Sequence, residues 1–167
     1  MEHTQQTTFI ALGSSIGDGA AQLRLAVQVL ETLAIGPIER SSLWRTEPFE
    51  MQVSDWFTNA VVSFDTELTA TDLLQSLKDI ERQCGRPVDH GVNTPRTVDL
   101  DIISFGDQII CSGDLTIPHP RASERLFVLL PLAEIAPDFR FPGSTDGLTT
   151  LIDRAPVLDV VKMTAFV

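Results

Sequence analysis

Cations are scarce in this chain: 12 Lys and Arg stand against 23 Asp and Glu in 167 residues, a formal net charge of −11. That balance excludes nucleic acid as an expected partner, because a phosphate backbone is held by clustered Lys and Arg. It does not exclude a small polyanion, since a bound divalent metal reverses the local field around carboxylates. Long apolar runs are missing as well, and none approaches the ~20 residues that a membrane span needs. The opening "MEHTQQTTF" has no basic stretch followed by an apolar one, so no secretory signal is expected and the expected location is cytoplasmic. Cysteine is nearly absent: Cys84 and Cys111 lie far apart in no metal or redox spacing, and two reduced thiols are expected. Repeats and low-complexity tracts are also lacking. What remains is an ordinary globular composition, expected to form a single domain over residues 1–167.

Hydrophobic periodicity divides the chain into strands and helices. "TFIAL" at 8–12 reads as a buried strand that enters the Gly/Ser turn "GSSIGDG". Asp18 can cap a following helix, and Leu23, Ala26, Val27, Leu30 and Leu33 recur at helical spacing to about residue 34. Gly36-Pro37 is expected to stop it. One strand is expected across 38–48 and another over 57–68, joined by a long irregular loop, "EPFEMQVSDW". Thr69 or Thr71 can cap a second helix with the apolar stripe Leu73, Leu74, Leu77, Ile80 and Cys84, and Gly85 lies where a left-handed terminal residue belongs. Glu81 falls on or beside that stripe, at a solvated edge or in the core. A polar loop over 86–95 leads to the strand within 94–106, a short return "DQII", and "LTIPHPRASERLFVLLPLAEIAP", where a proline-kinked loop leads into an apolar helix. Beyond 138 no element is assigned. The order β-α-β-β-α-β is the split βαβ, ferredoxin-like pattern: an α+β antiparallel sheet with its helices on one face, here with a C-terminal extension.

The strand "TPRTVDLDIISFG" at 94–106 carries two carboxylates where strands avoid them. Alternation sends Val98, Leu100 and Ile102 to one face and Asp99 and Asp101 to the other, with alpha carbons roughly 6.5 to 7 Å apart. Carboxylates that close repel unless a cation lies between them, and magnesium typically takes one or two carboxylates together with substrate phosphates. A solvated strand face with two incidental acids has the same spacing. Arg86 and Arg96 bracket the preceding loop, while Arg121 and Arg125 follow "IPHP". Guanidinium grips phosphate in bidentate fashion, so four of the chain's few cations gathered here suit a phosphate clamp; singly, each suits a surface salt bridge. His119, held between two prolines, can donate to a phosphate oxygen.

These stretches together resemble the 6-hydroxymethyl-7,8-dihydropterin pyrophosphokinase family of folate synthesis. The central match is "PRTVDLDI" at 95–102, joined in family order by "ALGSSIGD" (11–18), "SSLWRTEP" (41–48), "FTNAVV" (57–62), "IERQCGR" (80–86) and "IPHPRASERLFVLLPLAEIAP" (117–137), over about residues 8–142. The resemblance implies transfer of pyrophosphate from ATP to the pterin hydroxymethyl group, leaving AMP. It implies that Asp99 and Asp101 hold two magnesium ions bridging the ATP phosphates. Arg86, Arg96, His119 and Arg125 match phosphate-contacting positions. Lys78, Glu81, Ile102 and Thr116 fall where the family surrounds the nucleotide. Asn59 matches the pterin-reading amide, and Phe57 and Phe127 match the aromatic pair that sandwiches the ring; Asp99 also borders that pocket. Backbone groups at Thr46, Glu47 and Phe49 complete it. The implied partners are these small molecules, and a monomer without nucleic acid or membrane is expected.

One stretch departs from the pattern. The family's basic, tryptophan-bearing loop reads "GRPVDHGVNTPRT" here, with Val88, Asp89, Val92, Asn93 and Thr94 at the altered positions. Glu47 and Glu50 likewise replace more usual small or proline residues. Two alternatives therefore stay open: a family member acting on another pterin-like alcohol, and a non-catalytic homologue that binds pterin or nucleotide.

Overall fold

The strand with the two aspartates lies at one edge of a larger sheet. The computed structural model describes residues 4–47, 56–85, 97–163 and 166. In chain order the elements are β1 (Gln6–Ser14), α1 (Gly19–Leu30), β2 (Ile35–Arg40), β3 (Trp44–Thr46), β4 (Phe57–Thr66), α2 (Ala70–Gln83), β5 (Asp99–Phe105), β6 (Ile110–Ser112), β7 (Leu115–Ile117), α3 (Leu126–Ile135), α4 (Leu148–Arg154) and β8 (Val160–Lys162). The main sheet runs β5-β1-β4-β3-β8 with β2 also paired to β4, every pairing antiparallel; β6 and β7 form a separate hairpin. The fold is α+β.

Local chemistry sets the helix ends. The Asp18 carboxylate accepts from the Ala21 amide at 3.0 Å and starts α1, while the Thr69 hydroxyl accepts from the Asp72 amide at 3.1 Å and starts α2. Gly85, at φ +91°, follows α2 in the left-handed region open to glycine. The first helix is shorter than its periodicity suggests. The Thr32 hydroxyl and amide both turn back onto the Val29 carbonyl, at 2.7 and 3.0 Å, and close the helix at Leu30 instead of about 34. Gly36 and Pro37 then lie inside β2, not in a breaker between elements.

The strand expected over 38–48 is split in two. Between the pairs Arg40↔Val62 and Trp44↔Asn59, four residue steps on one side face three on the other. The Ser41 hydroxyl fills the gap, accepting from the Val61 amide at 3.0 Å and donating to the Ser42 carbonyl at 2.8 Å. Such a bulge bends the strand and keeps its polar groups bonded.

The two helices of the split βαβ pattern share one face, as expected. Leu23, Val27 and Leu30 of α1 and Leu73, Leu77 and Ile80 of α2 pack on Ile10, Leu12, Leu100 and Ile102. The opposite face is covered by α3 and α4, whose Val128, Leu129, Leu132 and Leu148 pack on Val61 and Ile103. The reason is in β4: residues 59–64 are buried on both sides, so an apolar run there demands two layers. The stretch beyond 138, where no element was expected, supplies α4 and the edge strand β8. Cys84 is buried and Cys111 exposed, both as free thiols; burial and the nearby Glu81 push the Cys84 thiol up and keep it protonated. Among the described residues no helix is long and apolar enough to cross a membrane.

Candidate active site

A cavity of about 290 Å³ opens where α3 begins and its cover of the sheet ends. Its floor follows from strand alternation. On the face of β1 carrying Phe9, the next residues of the same parity are Ala11 and Gly13, so the side chains shrink along the strand and leave space. Asp99 pairs with Gly13 and Asp101 with Ala11, which puts both carboxylates beside that space, while Leu100 and Ile102 turn into the core. On the other flank Gly13 pairs with Asn59. A Cβ added to Gly13 would come within 3.2 Å of the Asn59 Oδ1, closer than that amide tolerates without moving. Asn59 Nδ2 in turn donates to the Thr46 hydroxyl at 2.7 Å. Thr46, Glu47 and Phe57 complete this side.

The roof comes from residues 119–128. β5 carries a bulge at Ile103, since Phe9 pairs with Ser104 but Ile10 with Ile102. Ile103 shares the cavity face with Asp99 and Asp101 by alternation, and its carbonyl accepts from the His119 amide at 3.0 Å. His119 is thereby docked over the aspartates. Its Nδ1 accepts from the Arg121 amide at 3.2 Å, which leaves the proton of the neutral ring on Nε2. Nε2 lies 3.9 Å from Asp101 Oδ2. Burial, Arg125 and Arg121 hold the His119 ring below its ordinary value against the opposing pull of Asp99, so near neutral pH it is an uncharged donor. Arg125 lies with its guanidinium 5.5 Å from the Phe127 ring centre, and both side chains line the cavity.

The structure thus gathers Thr46, Glu47, Phe57, Asn59, Asp99, Asp101, His119, Arg125 and Phe127 around one space. Arg121, a clamp candidate from its position after "IPHP", lines it too. Four of the residues assigned to the nucleotide do not border it. Lys78 and Glu81 are on α2, Ile102 is in the core, and Thr116 is exposed on β7. Glu81 is only 5% exposed, and its Oε1 accepts from the Leu100 amide, between the two aspartates, at 2.8 Å. Arg86, Arg96, Phe49, Glu50 and the altered loop at 87–94 lie outside the described residues. Ala11, Gly13 and Ile103 carry no reactive group, and their role emerges only once the strands are paired. The two-residue alternation of β1 signals the first two, and that of β5, which gives Ile103 the parity of Asp99 and Asp101, signals the third.

The donor set suits a hard divalent cation. Asp99 and Asp101, two carboxylates on one wall of the cavity, are the residues that would hold it. Such a site leaves coordination positions for phosphate oxygens, as magnesium commonly uses them.

Comparison with known proteins is consistent over most of the chain. Residues 9–137 match the family described as 7,8-dihydro-6-hydroxymethylpterin-pyrophosphokinase. The chain is 42% identical over 138 residues to the 2-amino-4-hydroxy-6-hydroxymethyldihydropteridine pyrophosphokinase of Methylorubrum extorquens, covering 82% of this chain and 87% of that one. It is 42% identical over 128 residues to the Bacillus subtilis protein of the same name, covering 76% of each. In fold it is similar to the crystal structure of Plasmodium falciparum HPPK-DHPS, with a TM-score of 0.71 at 14% identity, over 90% of this chain and 44% of that one.

Proposed function

The chain belongs to the 7,8-dihydro-6-hydroxymethylpterin-pyrophosphokinase family, and from that premise we propose that it transfers pyrophosphate from ATP to the hydroxymethyl group of 6-hydroxymethyl-7,8-dihydropterin in folate synthesis. The observation that carries this reading is the division of one cavity into two chemistries. The β5 wall offers paired carboxylates with a histidine donor and arginines above them; the β3–β4 flank offers an amide, a hydroxyl and the Phe57 ring, with the Phe127 ring at the roof beside Arg125. A flat polar heterocycle is held well by ring faces and a few directed hydrogen bonds, which suits Phe57, Phe127, Asn59 and Thr46.

In the reaction, the hydroxymethyl oxygen forms a bond to the β-phosphorus of ATP. The bond from that phosphorus to the oxygen bridging the α-phosphate breaks, AMP leaves with the electron pair, and the hydroxyl proton passes to solvent. Such transfers depend on positioning and charge neutralisation rather than on a covalent intermediate. His119 donates from Nε2 to a phosphate oxygen, and Arg121 and Arg125 offset phosphate charge at the roof. Asp99 and Asp101 would hold magnesium, two ions by family analogy, whose chemistry is to neutralise the transferring group. Arg86 and Arg96 are assigned to phosphate, and Lys78, Glu81, Ile102 and Thr116 to the nucleotide surroundings, by sequence match. The protein is proposed to act as a cytoplasmic, single-domain monomer.

The test is incubation with ATP, magnesium and the pterin alcohol, followed by anion-exchange separation. AMP and pterin diphosphate in equal amounts are expected. Nucleotide binding without AMP would favour the non-catalytic alternative, and AMP formed only with a different pterin alcohol would favour the divergent one.

A further inference from the structure

The family match ends at residue 137, yet the last strand of the sheet comes from beyond it. β8 pairs with β3 through Trp44↔Lys162, Arg45↔Val161 and Thr46↔Val160. The pairing continues one residue further and becomes reciprocal: the Glu47 amide donates to the Asp159 carbonyl at 3.1 Å, and the Asp159 amide donates to Glu47 Oε1 at 2.9 Å. The Glu47 carboxylate is therefore engaged with the C-terminal strand. At the other end of β8, Lys162 Nζ reaches Glu134 Oε1 on α3 at 3.1 Å.

β3 and β8 have three residues each, and so short a pair is marginal without further contacts. Thr46 and Glu47, at the end of β3, line the cavity, and Thr46 takes the Asn59 amide proton. The start of α3 lines the same cavity with Phe127. β8 is thus fastened to β3 and α3, two of the elements that border the aromatic side of the cavity, and it does not pair with β5, which bears both aspartates. We propose that Glu47 is a positioning residue: its carboxylate, clasped onto the Asp159 amide, lets the C-terminal strand hold the Thr46–Glu47 wall in place for the pterin and not for ATP. This rests on the pterin reading above.

The experiment compares wild type, Glu47→Ala and Glu47→Gln. The glutamine keeps an Oε1 acceptor and loses the charge. Calorimetric titration uses 6-hydroxymethylpterin in the presence of α,β-methylene-ATP, and ATP separately; hydrogen exchange follows the Asp159 amide. Loss of the one hydrogen bond to the Asp159 amide sets the expected loss at about tenfold in pterin affinity for the alanine variant, with ATP affinity unchanged and recovery of most of the loss in the glutamine variant. The Asp159 amide is expected to exchange faster in the alanine variant alone. Unchanged pterin affinity in the alanine variant, equal losses for both ligands, or a glutamine variant as weak as alanine would each overturn the proposal. Wild-type protein that does not bind the pterin would instead remove the functional reading, and the exchange measurement would then still decide whether the clasp exists.

Discussion

The two faces of the sheet are built from the same strands and have opposite character. Under α1 and α2, Ile10, Leu12, Leu100 and Ile102 fill their side at no more than 5% exposure each. One residue away along the same strands, Ala11, Gly13, Asp99 and Asp101 leave a cavity edged with charge. Close packing makes the first face intolerant of lost volume. The second face, covered by α3 and α4 over the rest of its area, gives up that burial beside the start of α3 and gains room there for a ligand. Stability and chemistry are thus divided by strand parity, and a one-residue slip of β5 would exchange them. Among the described residues the division has one buried charged exception: Glu81 is buried on the core side, yet it bonds the backbone between the aspartates and so links the two faces.

The sharpest way to separate the faces is to cut one on each side. Ile10→Ala, on the filled face, is expected to destabilise the fold by about 2 to 5 kcal/mol, with turnover per folded molecule retained. Urea denaturation combined with active-site titration measures both, and a small stability loss would mean that this face is not the principal core. Asp101→Asn, on the open face, should do the reverse. Turnover is expected to fall by a hundredfold or more, about 3 kcal/mol in barrier, with little change in melting temperature. Wild-type rates at saturating magnesium would remove Asp101 from the site.

Within the open face, Phe127→Ala probes the aromatic side against the phosphate side. Pterin affinity is expected to fall by about 1 to 3 kcal/mol through lost stacking and burial, with a smaller effect on ATP. Equal calorimetric losses would assign Phe127 to general packing. The smallest effect concerns Glu134, which joins the cover of the open face to the edge strands. Burial would raise this carboxyl, but bonds from the Ser42 hydroxyl and amide, Lys162 and Trp44 outweigh it and hold the group below its ordinary value. Its stabilisation is therefore present above the unfolded carboxylate range and is lost as pH falls through the lower folded value. Wild type should lose up to about 1 kcal/mol more than Glu134→Gln on acidification from pH 6 to 3. Parallel pH profiles of the two melting curves would show that the network contributes nothing.

Much of the architecture is local enough to be written in the chain. The caps at Asp18 and Thr69, the left-handed Gly85 and the alternation that separates Asp99 and Asp101 from Leu100 and Ile102 depend on residues at most a few positions apart. The short-range signal is therefore sufficient for them. The same alternation, applied to "FIALG", aims Ala11 and Gly13 at the open face. The helix end at Leu30 is also local, but it turns on whether the Thr32 hydroxyl takes the Val29 carbonyl, which periodicity does not register.

Other features exist only because distant segments meet. The bulge at Ile103 is a mismatch between β5 and β1, and the His119 mooring joins the amide of that residue to the Ile103 carbonyl. The second helical layer exists because β4 is apolar on both faces, a property that becomes a demand for cover only once its neighbours flank it. β8, three residues long, could not persist alone, and it is a strand because β3 supplies its hydrogen-bond partners. Sequence by itself singled out Asp99, Asp101, His119 and Arg125 as candidates and determined which face of β5 the two aspartates take, since parity is a property of one strand. Tertiary structure decided that those residues share a cavity, because convergence of β1, β3, β4, β5 and the start of α3 is set by pairing and packing across more than a hundred residues of chain.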